Sequence, residues 1–245
     1  MMFIGIDLAW TYKKETGICI LDESGEVRYL ESKVFNNQEL LQLIRDHAYE
    51  GIAVAIDAPL VVKNETGSRE AERALMRGRI HGHRLFAFMA SRRFLINNFG
   101  EIRGEKLAGM ILEAFPQMDF RLSPEPGQST IVESFPTGIC VGLFPDIAPV
   151  KYKRKSKIPY AETKGEMERL LHQLAVLEDK GTVKGLSPKL YSEGFELNKK
   201  NHKHLEDKID AFLCAYGLFA VFQEMAEPRI FGDIPEGFIM IPVKN

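Results

Sequence analysis

Asp7, Asp57, Glu133 and Asp210 each sit in or at the end of an apolar stretch, in the segments Gly5-Ile6-Asp7, Ala55-Ile56-Asp57-Ala58-Pro59, Glu133-Ser134-Phe135-Pro136 and Ile209-Asp210-Ala211. Carboxylates forced together repel one another, and burying them uncompensated is costly, so such a set is favourable mainly when a cation neutralises it. All-oxygen donors suit Mg²⁺ or Mn²⁺ better than zinc. Two such ions, about 3.5 to 4 Å apart, can activate water and stabilise the leaving oxygen of a phosphodiester. On that reading Asp7 bridges the ions, and Asp57, Glu133 and Asp210 complete their shells. Asp207 lies three residues before Asp210 on a neighbouring position of the same helix face and is the second candidate ligand there.

Other residue sets bear on a substrate. Arg69, Arg73 and Arg77 fall at i, i+4 and i+8, which predicts one helical ridge able to grip phosphate; a solvated face paired with Glu65, Glu70 and Glu72 is the alternative. Lys151, Lys153, Arg154, Lys155 and Lys157 read as a flexible basic loop, with contact to a nucleic-acid backbone as the alternative. His81-x-His83 and His202-x-His204 lack the i, i+4 spacing of a helical zinc pair and read as polar loop residues. Trp10 and Tyr12, just beyond Asp7, are able to stack on a base, although an aromatic pair is more often packing.

The elements that must position these groups follow from periodicity. Phe3–Leu8, Gly17–Leu21 and Val27–Phe35 predict a three-strand antiparallel meander, with Asp22-Glu23-Ser24-Gly25-Glu26 as a turn. Asn36 and Asn37 cap a helix carrying Leu40, Leu41, Leu43 and Ile44, and the apolar run Ile52–Ile56 then predicts a buried parallel strand reached by a crossover. From Ser68 to about Phe115 the pattern is helical; Pro116–Gln128 is a loop, and Ser129–Phe135 a strand carrying Glu133. Helices are expected at about Glu162–Glu178 and His204–Met225, followed by a hairpin of Arg229–Phe231 and Phe238–Val243. Strands one and four are then neighbours, and ligand sites in such sheets form at the carboxyl ends of parallel strands. The order predicts an α/β fold of RNase H-like plan: a mixed sheet of antiparallel meander plus parallel strands, flanked by helices. Residues 1–245 read as a single domain with a helical insertion at about 63–128, since 45% apolar content over this length fits one large core.

A net charge of −2 does not advertise nucleic-acid binding by the chain as a whole. Cys19, Cys140 and Cys214 are odd in number, far apart and set in apolar surroundings, the pattern of reduced core thiols in a cytoplasmic protein. The opening apolar run is too short for a signal peptide, and no segment reaches membrane-spanning length, so no membrane partner is expected.

The four acid-bearing segments, with Asp207-Lys208-Ile209-Asp210-Ala211 as the last, resemble in order and spacing the family called domain of unknown function 429, whose members are described as predicted nucleases of RNase H fold. The resemblance spans nearly the whole chain. It implies divalent-metal-dependent cleavage of phosphodiester bonds, with DNA or RNA as the partner. The closing Asp-x-x-Asp-Ala also looks like the last helix of RuvC-type Holliday-junction resolvases. One departure falls in the Arg-rich segment, where this chain has Ala71-Glu72 and the family often has Cys-Asp. Two rival readings are a non-catalytic binding or scaffold protein of the same fold and an actin-like ATPase or kinase; the latter normally needs a second domain and Gly-rich phosphate loops, which this chain lacks.

Overall fold

A computed structural model describes the chain except for Tyr49, Glu50, Pro126 and Asn245. Three strands open it, β1 (Met2–Asp7), β2 (Thr16–Asp22) and β3 (Val27–Lys33), paired antiparallel as a meander. Helix α1 (Asn37–His47) starts where Asn36 accepts from the Glu39 amide and the Glu39 side chain accepts from the Asn36 amide, a reciprocal cap. It carries the chain across to β4 (Ile52–Asp57), which lies parallel to β1 with Asp7 beside Asp57. Residues 63–128 hold α2 (Glu70–Arg77), α3 (Arg92–Phe99), α4 (Arg103–Ala114) and the two-residue strand β5 (Asp119–Phe120). Then come β6 (Thr130–Glu133), α5 (Pro136–Leu143), α6 (Tyr160–Asp179), α7 (Ser187–Leu190) and α8 (His202–Phe222). A hairpin of β7 (Glu227–Asp233) and β8 (Gly237–Val243) closes the chain.

The main sheet has six strands in the order β3-β2-β1-β4-β6-β5, with β4, β6 and β5 parallel to β1. Helices cover both faces, which is the RNase H-like arrangement. Strand alternation decides which residues meet which helices. Ile4, Ile6, Ile18, Ile20, Val54 and Ile56 face α1 and α4, packing on Leu40, Ile44, Leu107 and Ile111. Phe3, Cys19, Leu21, Ala53 and Ala55 face the other way, toward α5, α6 and α8. That second face is floored with small residues, and α8 comes very close to it. A Cβ added at Gly5 would lie 2.0 Å from the Ala211 carbonyl oxygen, and one at Gly17 would lie 2.1 Å from that of Asp207. Gly5 is therefore required by helix–sheet distance and not by backbone conformation.

Three features exceed the sequence expectations. Helix α5 follows directly on the strand expected to end at Phe135, in a stretch where no element was expected: Pro136 stands at its first turn, where a missing N–H costs nothing. Strand β5 lies within the expected loop 116–128, and α7 is an extra single turn. The helical stretch 68–115 is broken into three pieces, with residues 78–91 irregular. All three cysteines are buried free thiols. No helix of the described residues is long and apolar enough to cross a membrane.

Candidate metal centre

Parity along the strands sets the centre. Asp7 follows Phe3 and Gly5 on the α8 face of β1, and Asp57 follows Ala53 and Ala55 on the same face of β4. The register that pairs the two residues therefore presents both carboxylates to α8, whose Asp210 meets them. Carboxylate oxygens of Asp7, Asp57 and Asp210 all lie within 4.8 Å of one another. Asp207, one helical turn earlier, lies within hydrogen-bonding contact of Asp7. Asp207 and Asp210 are 2% and 1% exposed, so neither is a solvated helix-start acid.

Glu133 does not join this group, and strand register gives the reason. Its neighbour in β4 is Ile56, not Asp57, so it shares the face of Ile56 and points away from α8. Ser134, one residue on, stands level with Asp57. The carboxylate of Glu133 is instead gripped by Arg69, with Nη1 donating to Oε2 at 2.8 Å and Nη2 donating to Oε1, while the Leu60 amide donates to Oε2 at 3.0 Å. Arg69 also donates from Nε to Glu72 Oε1 at 2.7 Å.

The arginine ridge is likewise absent. Arg69 is the extended residue that precedes α2, so helical spacing does not apply to it, and it is 3% exposed between two glutamates. Arg73 and Arg77 are exposed and both pair with Glu70 on the outer face. None of the three is placed beside the Asp7–Asp57–Asp210 group as a free phosphate-gripping cation.

Two lysines are there instead. Lys153 Nζ lies 2.7 Å from Asp210 Oδ2, and the Tyr152 hydroxyl donates to Asp210 Oδ1 at 2.5 Å. Lys203 Nζ bridges Glu206 Oε1 at 2.8 Å and Asp207 Oδ1 at 2.6 Å. Lys153 comes from the basic stretch expected to be a solvated loop; that stretch is pinned by Tyr152, which is fully buried. The same tyrosine's carbonyl meets His202 Nε2 at 2.8 Å, so His202 is a core residue and not a loop one. Only the burial of Tyr152, invisible in a run of lysines, distinguishes this segment from a floppy one.

The electrostatics describe an undercompensated site. Burial, then Asp210 and Asp57, hold the Asp7 carboxyl well above the usual carboxylate range, against the pull of Lys153 and Lys203. Burial raises Asp57 to about 7, with Lys153 opposing and Asp210 and Glu133 adding to the rise. Asp207 is raised by burial despite Lys203. Burial disfavours the Lys153 ammonium, but Asp210, Asp57 and Asp7 outweigh it and lift its pKa well above the ordinary lysine range. Among the described residues no ion pair or hydrogen bond closes on Asp57. Clustered hard oxygens whose charge the protein's own lysines leave partly uncancelled are the donor set a divalent cation fits.

Two clefts open on Asp7. One, of about 190 Å³, runs past Asp57, Trp10, Phe88 and Glu133. The other, of about 690 Å³, runs past Trp10, Phe99, Lys14, Lys200, Lys203 and Asp207. Arg103, buried at the start of α4, ties down the β1–β2 loop that separates them. It donates to the carbonyls of Ala9 at 2.9 Å and Phe35 at 2.7 Å and lies over the Tyr12 ring.

Fold and centre define a mixed α/β protein with a metal-binding-type carboxylate group at the ends of two parallel strands and one helix. The chain belongs to the family described as a protein of unknown function (DUF429), which matches residues 5–226. That span runs from Gly5, under α8, to just past the end of α8 itself. No curated protein and no solved structure is significantly similar to it.

Proposed function

We propose that the protein is a divalent-metal-dependent hydrolase of phosphodiester bonds, acting on nucleic acid, with Asp7, Asp57 and Asp210 as the principal ligands of Mg²⁺ or Mn²⁺. The convergence of those three carboxylates on one point at the strand ends carries the reading. Bound there, the cation would supply Lewis-acid polarisation of a phosphoryl oxygen and lower the pKa of a water. Asp7 is shared between the Asp57–Asp210 side and the Asp207 side, so the same residues offer a place for a second ion. Asp57, raised to about 7, exchanges its proton near neutrality and loses it to a cation. Tyr152 fixes the orientation of Asp210, and Lys153 keeps a positive charge beside it that an entering phosphodiester anion would meet. Glu133 supports the strand end through Arg69 and is not assigned as a ligand.

The deciding experiment is calorimetric titration of Mn²⁺ into metal-stripped wild-type protein and Asp7→Asn, with folding checked by circular dichroism, followed by hydrolysis assays on bis(p-nitrophenyl) phosphate and on oligonucleotides. Binding and hydrolysis in the wild type, both lost in the folded variant, are expected. A second reading, a non-catalytic scaffold, is favoured by one observation: Lys153 and Lys203 already pair with Asp210 and Asp207. Wild-type protein that takes up no Mn²⁺ and hydrolyses nothing would establish it.

A further inference from the structure

The carboxylate group borders an exposed aromatic surface. Trp10 contacts Phe88 and Phe99, each with ring centroids 5.2 Å away, and the Phe99 ring is nearly parallel to it. Phe94 completes the group, 5.2 Å from Phe88 and 6.1 Å from Phe99. Trp10, Phe88 and Phe94 remain 37%, 50% and 40% exposed. Rings drawn from three separate segments and left in water have not been gathered for the core. Three of the four are firmly held: Arg103 fixes the loop that carries Trp10, and Phe94 and Phe99 lie on α3.

What surrounds the rings narrows the occupant. Trp10 lines both clefts that start at Asp7. In the larger one it shares the wall with Phe99, and Lys14, Lys200, Lys203 and His204 stand with them. Three acids line it as well: Glu15 is paired with His204 at 2.8 Å, Asp207 with Lys203 at 2.6 Å, and Asp7 is the carboxylate from which the cleft starts. An apolar partner protein or a second copy has no use for the exposed ammonium groups of Lys14 and Lys200 beside the rings, and a duplex backbone has no use for the rings. Aromatic faces interleaved with lysines match a chain of unpaired nucleotides, bases against rings and phosphates against ammonium groups.

We infer that Trp10, Phe88, Phe94 and Phe99 form a base-stacking subsite for an unpaired nucleic-acid strand, entering along the Lys14–Lys200–Lys203 cleft toward Asp7. The inference rests on the proposed phosphodiesterase reading and sharpens it: the substrate is single-stranded or locally unpaired, because bases held within a duplex cannot reach the rings.

Trp10 is the sole tryptophan in the chain, so its emission reports on the subsite directly. Wild-type protein is titrated, in EDTA and again in Ca²⁺, with an oligothymidylate of about ten nucleotides and with an abasic phosphodiester chain of the same length and charge. Saturable quenching by the base-bearing strand, and not by the abasic one, is expected. By anisotropy of a labelled strand, Phe88→Ala and Phe99→Ala should each weaken binding about tenfold, the range of one lost stacking contact. Equal responses to both strands, or none in either buffer, would overturn the subsite. So would an emission that changes with protein concentration alongside dimer formation in sedimentation, which would mark a self-association face. Strand-selective quenching in a protein that hydrolyses nothing would leave the subsite and remove the nuclease; hydrolysis of the small diester without quenching would do the reverse.

Discussion

Two buried acidic groups lie at the same end of the sheet, and the protein treats them in opposite ways. Glu72 and Glu133 enclose Arg69, whose guanidinium donates to both, so that charge is cancelled inside the fold with planar, bidentate geometry. Asp7, Asp57 and Asp210 converge without an arginine, and of the nearby lysines Lys153 pairs with Asp210 while Lys203 pairs with Glu206 and Asp207. The first is a finished structural joint. The second is a site left short of positive charge, and the rise of Asp7 and Asp57 above the ordinary aspartate range is the sign of that shortage. Counting acids does not separate the two groups; asking what cancels each charge does.

Removing the joint's cation should give the largest effect. Arg69→Met leaves two glutamates buried and unpaired, and urea denaturation should show a loss of about 3–5 kcal/mol. Asp7→Asn should do the opposite: stability equal to or above wild type in the metal-free state, and Mn²⁺ affinity lowered more than about 100-fold, beyond the range for residues that only support a ligand. Glu133→Gln should cost about 1–3 kcal/mol of stability, as a weakened buried charge pair does, with Mn²⁺ affinity within a few-fold of wild type. If it abolished Mn²⁺ binding as Asp7→Asn does, the division between the two groups would collapse and Glu133 would return as a ligand.

The smallest effect is on pH dependence. Asp57 keeps its proton in the folded state up to about 7, against an ordinary value of 3.8, so between those values the native state holds a proton that the unfolded chain has released. Stability of the metal-free protein should therefore fall as pH rises from about 4 to about 7, and level off above. Asp7, also raised, acts in the same direction. Saturating Mn²⁺ should flatten the curve, and Asp57→Asn should flatten it without metal. Thermal melts across that range, with and without the ion, read both.

The parts of this arrangement that follow short-range rules were legible from the residues. Alternation along two apolar strands puts Asp7 and Asp57 at matching ends, and the Asn36 cap announces the crossover that makes those strands neighbours; the apolar flank of Asp210 marks an inward acid but does not single it out, since Glu206 and Asp207 are buried on the same helix. What was not legible depends on register and on pairing between distant segments. A shift of one residue between β4 and β6 turns Glu133 to the opposite face, and no local pattern reports such a shift. Arg69 matches helical spacing with Arg73 and Arg77, yet it stands just outside the helix and turns inward. Lys153 lies in a run of cations whose composition reads as solvated, and only the burial of Tyr152 beside it brings it to Asp210. The aromatic cluster joins the loop after β1 to residues beyond 85, so Trp10 and Tyr12 alone gave no sign of it.

The close seat of α8 on Gly5 and Gly17 also sets a timetable. A chain made from its N-terminus carries Asp7 and Asp57 early, but the helix bearing Asp207 and Asp210 is nearly the last element to appear. Contacts between the two ends of a chain form slowly, because a long loop must close before they are rewarded. A growing or cleaved chain ending before residue 202 would possess all six strands of the main sheet and two of the three convergent carboxylates, and would lack the third. Completion of the centre is thereby coupled to completion of the protein, and glycine at position 5 is the clearance through which the last piece arrives.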